Sequence, residues 1–333
     1  MSEENNEELY AVIPLKGLRP GVELVTDVYL KINGKVIKYK EAGDKISSEK
    51  LDFFIAKHLY EIYVLKEFEE TFNKWVTEKK QDSINSLVEE VGEEHRDLAE
   101  KREEIRELIY ETFSDQDLDS KAIEVLQYQS KEFITTVSDD KVNKTIIAKL
   151  SNFNSTLADH SVNTASLSVY IAMCCGFGNQ YDLENVYMGA LLHDYGKVKI
   201  PANTLENKGS AAYSQAILDH PYRGMKMIKK MKDMPEEIQM IVAQHHEQFN
   251  GNGFPKSLKG QEIYKFAMIV AIANIFNNTI EDELIKKSIK KPNIEIYRKS
   301  IKVLEYDKGK QFSPEYLERA IDGLKLAFGN YQK

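Results

Sequence analysis

The rhythm of hydrophobic and polar positions changes twice along the chain. From Val12 to about Val64, short runs of β-formers alternate with turn residues. Pro20-Gly21 marks a turn, and "VELVTDVYLKI" is a strand candidate. Asn33-Gly34, set between "VYLKI" and "KVIKYK", predicts a two-residue hairpin because both positions tolerate positive φ. A short amphipathic helix is expected around "SEKLDFFIAKHL", with His58 an ordinary member of it. From about Lys66 to Leu126 the pattern becomes helical and charged. "EEHRDLAEKREEIRELIYETF" interleaves both signs with apolar residues three and four apart, predicting ion pairs on a solvated face. This reads as a linker helix or helical hairpin packed on a neighbour, with dimerisation through the same helices as the alternative; His95 falls here without a special role. Beyond about Ser120 the pattern is almost wholly helical. "ASLSVYIAMCCGFG", "ENVYMGALLHDYG" and "PEEIQMIVAQHHEQF" are three apolar or amphipathic helices, and the last runs into the loop "NGNGFP". "YKFAMIVAIANIFNN" is apolar over nearly its whole length and is expected to be central. No internal repeat or low-complexity tract interrupts the pattern.

These changes predict an α+β chain in three parts: a small β-containing N-terminal domain (1–65), a charged helical linker (66–125) and an all-α domain (126–333). Bulk composition alters this little. The 333 residues are 42% hydrophobic and 29% charged, ordinary for a globular protein. The net charge of −8 argues against binding duplex nucleic acid, so an anionic substrate would need local charge or metal ions to attract it. Cys174 and Cys175, the only cysteines, sit together in an apolar run and read as buried small hydrophobes. The acidic opening "MSEENNEELY" lacks the plan of a signal peptide, and no apolar run reaches the ~18 residues of a membrane span, so a cytoplasmic protein is expected.

Candidate chemistry concentrates in "GALLHDYGKVKIP", Gly189 to Pro201. His193 and Asp194 stand side by side near the end of an apolar helix, with Lys197 three residues on. Burying two ionisable groups is costly without compensation, and a metal ion is the economical partner. Five of the seven histidines fall between residues 160 and 246: His160, His193, His220, His245 and His246. With Asp194 they make six candidate ligands, more than a single open site uses. Neutral imidazole with carboxylate suits iron, manganese or zinc, and the spacing is unlike the short pairs of a zinc finger. Two metals can clamp a phosphoryl group and activate a water, and Lys197 would add positive charge beside it. The residues therefore point to a dinuclear-metal phosphohydrolase.

The runs "HDYGKVKIP", "DHPYRGMKMI" and "HHEQFNGNGFP" closely resemble the HD-GYP family of cyclic di-GMP phosphodiesterases, a branch of the HD-domain metal-dependent phosphohydrolases. The likeness covers roughly Ser151 to Gln311. "IPLKGLRPGVELVTDVYLKINGKVI" also resembles the small β-rich domain that often precedes an HD-GYP domain. The resemblance implies an HD-type helical bundle holding two divalent ions, usually iron, alternatively manganese. It implies metal ligation by His160, His193, His220, His245 and His246, with Asp194 bridging both ions and Lys197 contacting the scissile phosphate. A bridging hydroxide would then open cyclic di-GMP to pGpG, and in some members onward to GMP.

Several positions depart from the family pattern. Gly253-Phe254-Pro255 replaces Gly-Tyr-Pro, and Gln248 and Asn250 stand where arginine and aspartate are usual. "ANIFNN" puts Asn274 where a terminal aspartate ligand is expected; a neutral amide oxygen is a weaker ligand for a hard cation. Asn277 likewise replaces a carboxylate. Glu283 lies near an expected arginine, leaving Lys286 or Lys287 to bind the ligand's other phosphate unless they only form a solvated helix face. Thr156 occupies the position of the glutamate carried by three-metal members, so two ions are expected. Two functions follow: an attenuated phosphodiesterase acting on cyclic di-GMP or a related phosphoester, or a catalytically quiet metal-bearing module that binds cyclic di-GMP or a signalling protein. A homodimer is compatible with either. A hydrolase of another nucleotide is disfavoured by the "HHExxxGxGxP"-like loop.

Overall fold

The computed structural model describes residues 9–114, 120–139, 142–151, 156–307 and 309–329; most of the acidic N-terminal stretch lies outside them. Four antiparallel strands form one sheet in the order β1-β4-β2-β3: β1 (Tyr10–Pro14), β2 (Val28–Ile32), β3 (Lys35–Lys40) and β4 (Glu61–Leu65). The β2–β3 hairpin turns at Asn33 and Gly34, with φ of 51° and 79°, as the sequence pattern predicts. Helix α1 (Ser48–Ala56) crosses between β3 and β4, capped by Ser47 accepting from Lys50 N.

The rest is helical: α2 (Glu69–Val91), α3 (Arg96–Ser114), α4 (Ser120–Val137), α5 (Lys144–Lys149), α6 (Leu157–Cys174), α7 (Gln180–Leu192), α8 (Ala202–Leu205), α9 (Ala211–Ile228), α10 (Glu236–Gln244), α11 (Lys265–Lys287), α12 (Ile294–Tyr306) and α13 (Pro314–Leu324). Helices α6 and α11 form the centre, packed on each other and buried along most of their length. A continuous apolar core runs from Ala11 and Val64 of the sheet through α2 and α3 to Phe328. Among the described residues no helix is long and apolar enough to cross a membrane.

The charged stretch differs from its expectation. Arg102, Glu103 and Arg106 of α3 are fully buried rather than solvated. They belong to a chain of ion pairs: Arg19 to Glu103 at 2.5 Å, Arg106 to Glu103 at 3.7 Å, and Arg106 to Asp159 at 2.6 Å. Arg102 donates to Asn163 at 3.0 Å. The pattern of alternating charge could not separate a wet face from one whose charges are paired across elements. The chain of pairs ends at the first turn of α6, where Thr156 caps the helix by accepting from Asp159 N and donating to its carboxylate.

Candidate metal centre

Three histidines are fixed by carbonyls that their helices leave open. His193 ends α7 and His245 ends α10, in the last turn where carbonyls run out of helical N–H partners. His193 Nδ1 takes Ala190 O at 2.7 Å, and His245 Nδ1 takes Val242 O at 2.8 Å. His220 lies inside α9, but Pro221 lacks the N–H that would have bonded Ile217 O, and His220 Nδ1 takes that carbonyl at 2.6 Å. A carbonyl only accepts, so each ring is protonated at Nδ1 and turns a lone pair at Nε2 inward.

Inward lies Asp194. Its Oδ1 is 3.1 Å from His220 Nε2 and 3.8 Å from His245 Nε2. Its Oδ2 is 3.3 Å from His193 Nε2, 3.9 Å from His160 Nε2 and 2.6 Å from Lys197 Nζ. The Nε2 atoms of His220 and His245 stand 3.2 Å apart. Acceptor therefore faces acceptor, in a buried site. His193 Nε2 and Asp194 Oδ1 have no hydrogen-bond partner among the described residues. The ligand atoms of Asp194, His220, His245 and His246 all lie within 4.8 Å of one another, as do those of His160, His193 and Asp194. Converging lone pairs and a shared carboxylate fit divalent cations.

Electrostatics favour the ligating forms of Asp194, His220, His245 and His246, and His160 departs from them. Burial, reinforced by neighbouring imidazoles, depresses His245 and His246 well below the ordinary imidazole value, and burial lowers His220 as well. Burial works to raise Asp194, yet His193 and Lys197 hold its carboxyl well below the usual range. Burial works to lower His160, but Glu281, joined by Asp194, holds it above the ordinary value.

The surroundings are built to match. Gly196 allows the turn 195–199 to seat on α9, since a Cβ there would overlap the His220 carbonyl. Phe254 stacks on His246, centroids 4.6 Å apart, so ring packing survives without the tyrosine hydroxyl. Glu247 is buried and accepts from Lys256 N at 2.7 Å and Leu258 N at 2.9 Å, folding the loop around that ring.

On α11, Asn274 is buried and its Oδ1 accepts from Asn278 at 2.8 Å. Glu283 pairs with Lys299 at 2.7 Å and Lys286 at 3.6 Å, and Lys287 pairs with Glu295 at 3.6 Å. The structure thus gathers His160, His193, Asp194, Lys197, His220, His245 and His246 into one site. Lys286 and Lys287 remain in ion pairs on an exposed face; Lys286 is about 18 Å along the helix axis from Asn274 at ~1.5 Å per residue. Sequence reasoning missed Pro221, whose place after His220 signals the freed carbonyl, and Glu281, one turn beyond Asn277.

The HD domain family matches residues 142–312, just over half of the chain. The chain belongs to the HD-domain family. Its relatives include a cyclic di-GMP phosphodiesterase of Thermotoga maritima, 27% identical over 206 residues, which cover 60% of this chain and 53% of that protein. A 3′3′-cGAMP-specific phosphodiesterase of Vibrio cholerae is 33% identical over 136 residues, covering 39% of this chain and 24% of that one. The chain thus matches about half, or less, of the length of these relatives. The solved structure of Bd1817, an HDG"Y"P protein from Bdellovibrio bacteriovorus, shares the fold, with a TM-score of 0.60 and 23% identity, over 95% of this chain and 99% of that one. The HD-GYP resemblance drawn from the motifs stands, with Phe254 at the tyrosine position of this HD-domain protein.

Proposed function

We propose that this chain is a dinuclear-metal phosphodiesterase acting on a cyclic dinucleotide, cyclic di-GMP in the first instance, at an attenuated rate. The observation that carries the reading is the convergence of imidazole lone pairs on the carboxylate of Asp194, an arrangement that is repulsive until cations fill it. The names of the relatives support the substrate class. Asp194 would bridge, with His160 and His193 on one side and His220, His245 and His246 on the other. Two divalent ions, iron or manganese, would supply Lewis acidity toward a phosphoryl oxygen and lower the pKa of an attacking water. Lys197, beside Asp194, places a cation against the phosphate oxygens as charge develops on them. Residues 1–65 are read as a sensing or docking unit, 66–125 as the linker and 126–333 as the catalytic domain.

Attenuation follows from three positions. Asn274 offers a neutral amide in place of a carboxylate. Phe254 forgoes one hydrogen bond, a net loss of about 1 kcal/mol. Glu283 presents a paired carboxylate where an arginine would hold a second phosphate. Glu283 and Asn274 also favour the second reading, a catalytically quiet module that binds the ligand or a partner protein. Turnover of cyclic di-GMP by anaerobically purified, iron- or manganese-loaded protein, resolved by chromatography, separates the two. Product from wild type but not from Asp194→Ala is expected; no product from fully metallated protein would leave the binding module.

A further inference from the structure

His160 is held differently from the other candidate ligands. His193, His220 and His245 give their Nδ1 protons to backbone carbonyls freed by a helix end or a proline. His160 sits in the first turn of α6, where the open backbone groups are N–H donors rather than carbonyls. Its Nδ1 instead faces two side chains of α11, Asn277 Nδ2 at 3.0 Å and Glu281 Oε1 at 3.3 Å.

These two neighbours select opposite tautomers. An amide N–H donating to Nδ1 requires a lone pair there and puts the ring proton on Nε2, the nitrogen that faces Asp194. In that form His160 could not ligate. A carboxylate only accepts, so Glu281 pairs with Nδ1–H and leaves the lone pair on Nε2. Asn277 has two amide protons, and two other acceptors take them: His160 O at 3.2 Å and Thr164 Oγ1 at 3.1 Å. Glu281 has no comparable alternative. Among the described residues no lysine or arginine pairs with it; His160 is its ionic partner, and both side chains are nearly buried.

We infer that Glu281 is a positioning residue whose carboxylate, by accepting the Nδ1 proton of His160, commits that ring to the metal-ligating tautomer. The inference rests on the reading of the cluster as a metal centre, and it assigns the otherwise unpartnered charge on α11 to that centre.

The first test needs neither metal nor substrate. Nitrogen-15 spectra of histidine-labelled, metal-free protein, at a pH high enough to keep His160 neutral, distinguish Nδ1–H from Nε2–H rings; His160→Gln identifies the signal. Wild type is expected in the Nδ1–H form, with Glu281→Ala moving His160 toward Nε2–H. The second test titrates manganese and measures the ions retained. Glu281→Ala should weaken the weaker of two ions at least tenfold and leave the other unchanged. Adding Asn277→Asp to Glu281→Ala moves a carboxylate onto the same ring nitrogen and should restore both tautomer and affinity. An unmoved tautomer in folded Glu281→Ala, or equal affinity for both ions, overturns the inference. Absence of cyclic di-GMP turnover with the tautomer shift intact would instead count against the proposed activity alone.

Discussion

The two halves of the candidate centre share Asp194 but are not built alike: His193, on the same side as His160, is locked by the Ala190 carbonyl, and the difference lies at His160 itself. Around His220 and His245 the rings are locked by the main chain, through carbonyls that a helix end and Pro221 leave open. Around His160 the support is entirely from side chains: Glu281 and Asn277 on the ring, and Asp159, Arg106 and Glu103 on the turn that carries it. A lock made by the backbone survives almost any change in neighbouring side chains, whereas a lock made by side chains is only as good as each of them. The departures on α11, at Asn274 and Asn277, fall on the helix that faces the second half. Uneven metal affinity, rather than loss of the site, is the expected consequence.

Removing the shared carboxylate should abolish the contrast. Asp194→Ala is expected to lose both ions and to cut any cyclic di-GMP turnover on the order of 10³-fold or more, about 4 kcal/mol of barrier. Metal analysis alongside the rate would check it; full occupancy in the variant would end its bridging role. Next in size is the buried charge chain. Arg106→Met leaves Asp159 without its ion pair in the interior, while Glu103 keeps Arg19, and should cost about 3–5 kcal/mol in urea unfolding. In protein that remains folded, only the ion on the His160 side should weaken. Equal weakening of both ions would mean that the halves are one mechanical unit.

Much of this contrast is legible in the sequence, but not evenly. His193, Asp194, His220 and the His245-His246 pair announce themselves through residue type and motif, because their setting is local: a helix end or a following proline within a few residues. The hairpin at Asn33-Gly34 is legible for the same reason, since its backbone conformation is decided by the two residues themselves. Arg106 was hidden because its partner, Asp159, lies 53 positions away, and an alternating-charge helix looks the same whether its charges meet water or one another. Glu281 was hidden likewise: its partner is 121 positions distant, and an acidic residue in "TIEDELIKK" reads as one more surface charge until α6 and α11 are brought together.

A smaller change should sharpen the comparison from the ligand side. Asn274→Asp replaces a neutral oxygen with a charged one on α11, the helix whose Asn277 and Glu281 hold His160, and about a tenfold gain in affinity for one ion is expected, or ~1.4 kcal/mol. Calorimetric titration with manganese would show one isotherm step tightening while the other stays. A gain shared by both ions would place Asn274 on the bridging position instead.

The smallest expected effect concerns Asp52, which α1 brings to the start of α6, where its Oδ1 accepts from Leu157 N at 3.2 Å. Burial, aided by the nearby carboxylates of Asp159 and Glu281, raises its pKa from 3.8 to about 7 against the pull of that N–H. In the metal-free protein the folded state therefore keeps a proton that the unfolded chain has released between pH 4 and pH 7. The Asp52 contribution to stability must fall as pH rises through that window and level off above it. Asp52→Asn keeps an acceptor for Leu157 N without the charge. Its advantage over wild type should widen from pH 4 to pH 7 and then stay constant, reaching about 1 kcal/mol because the half-buried carboxylate retains contact with solvent. Urea midpoints across this range would decide it. A gap that does not change with pH would mean that Asp52 is ionised in the folded protein throughout, and that the His160 half already accommodates one more negative charge without a metal.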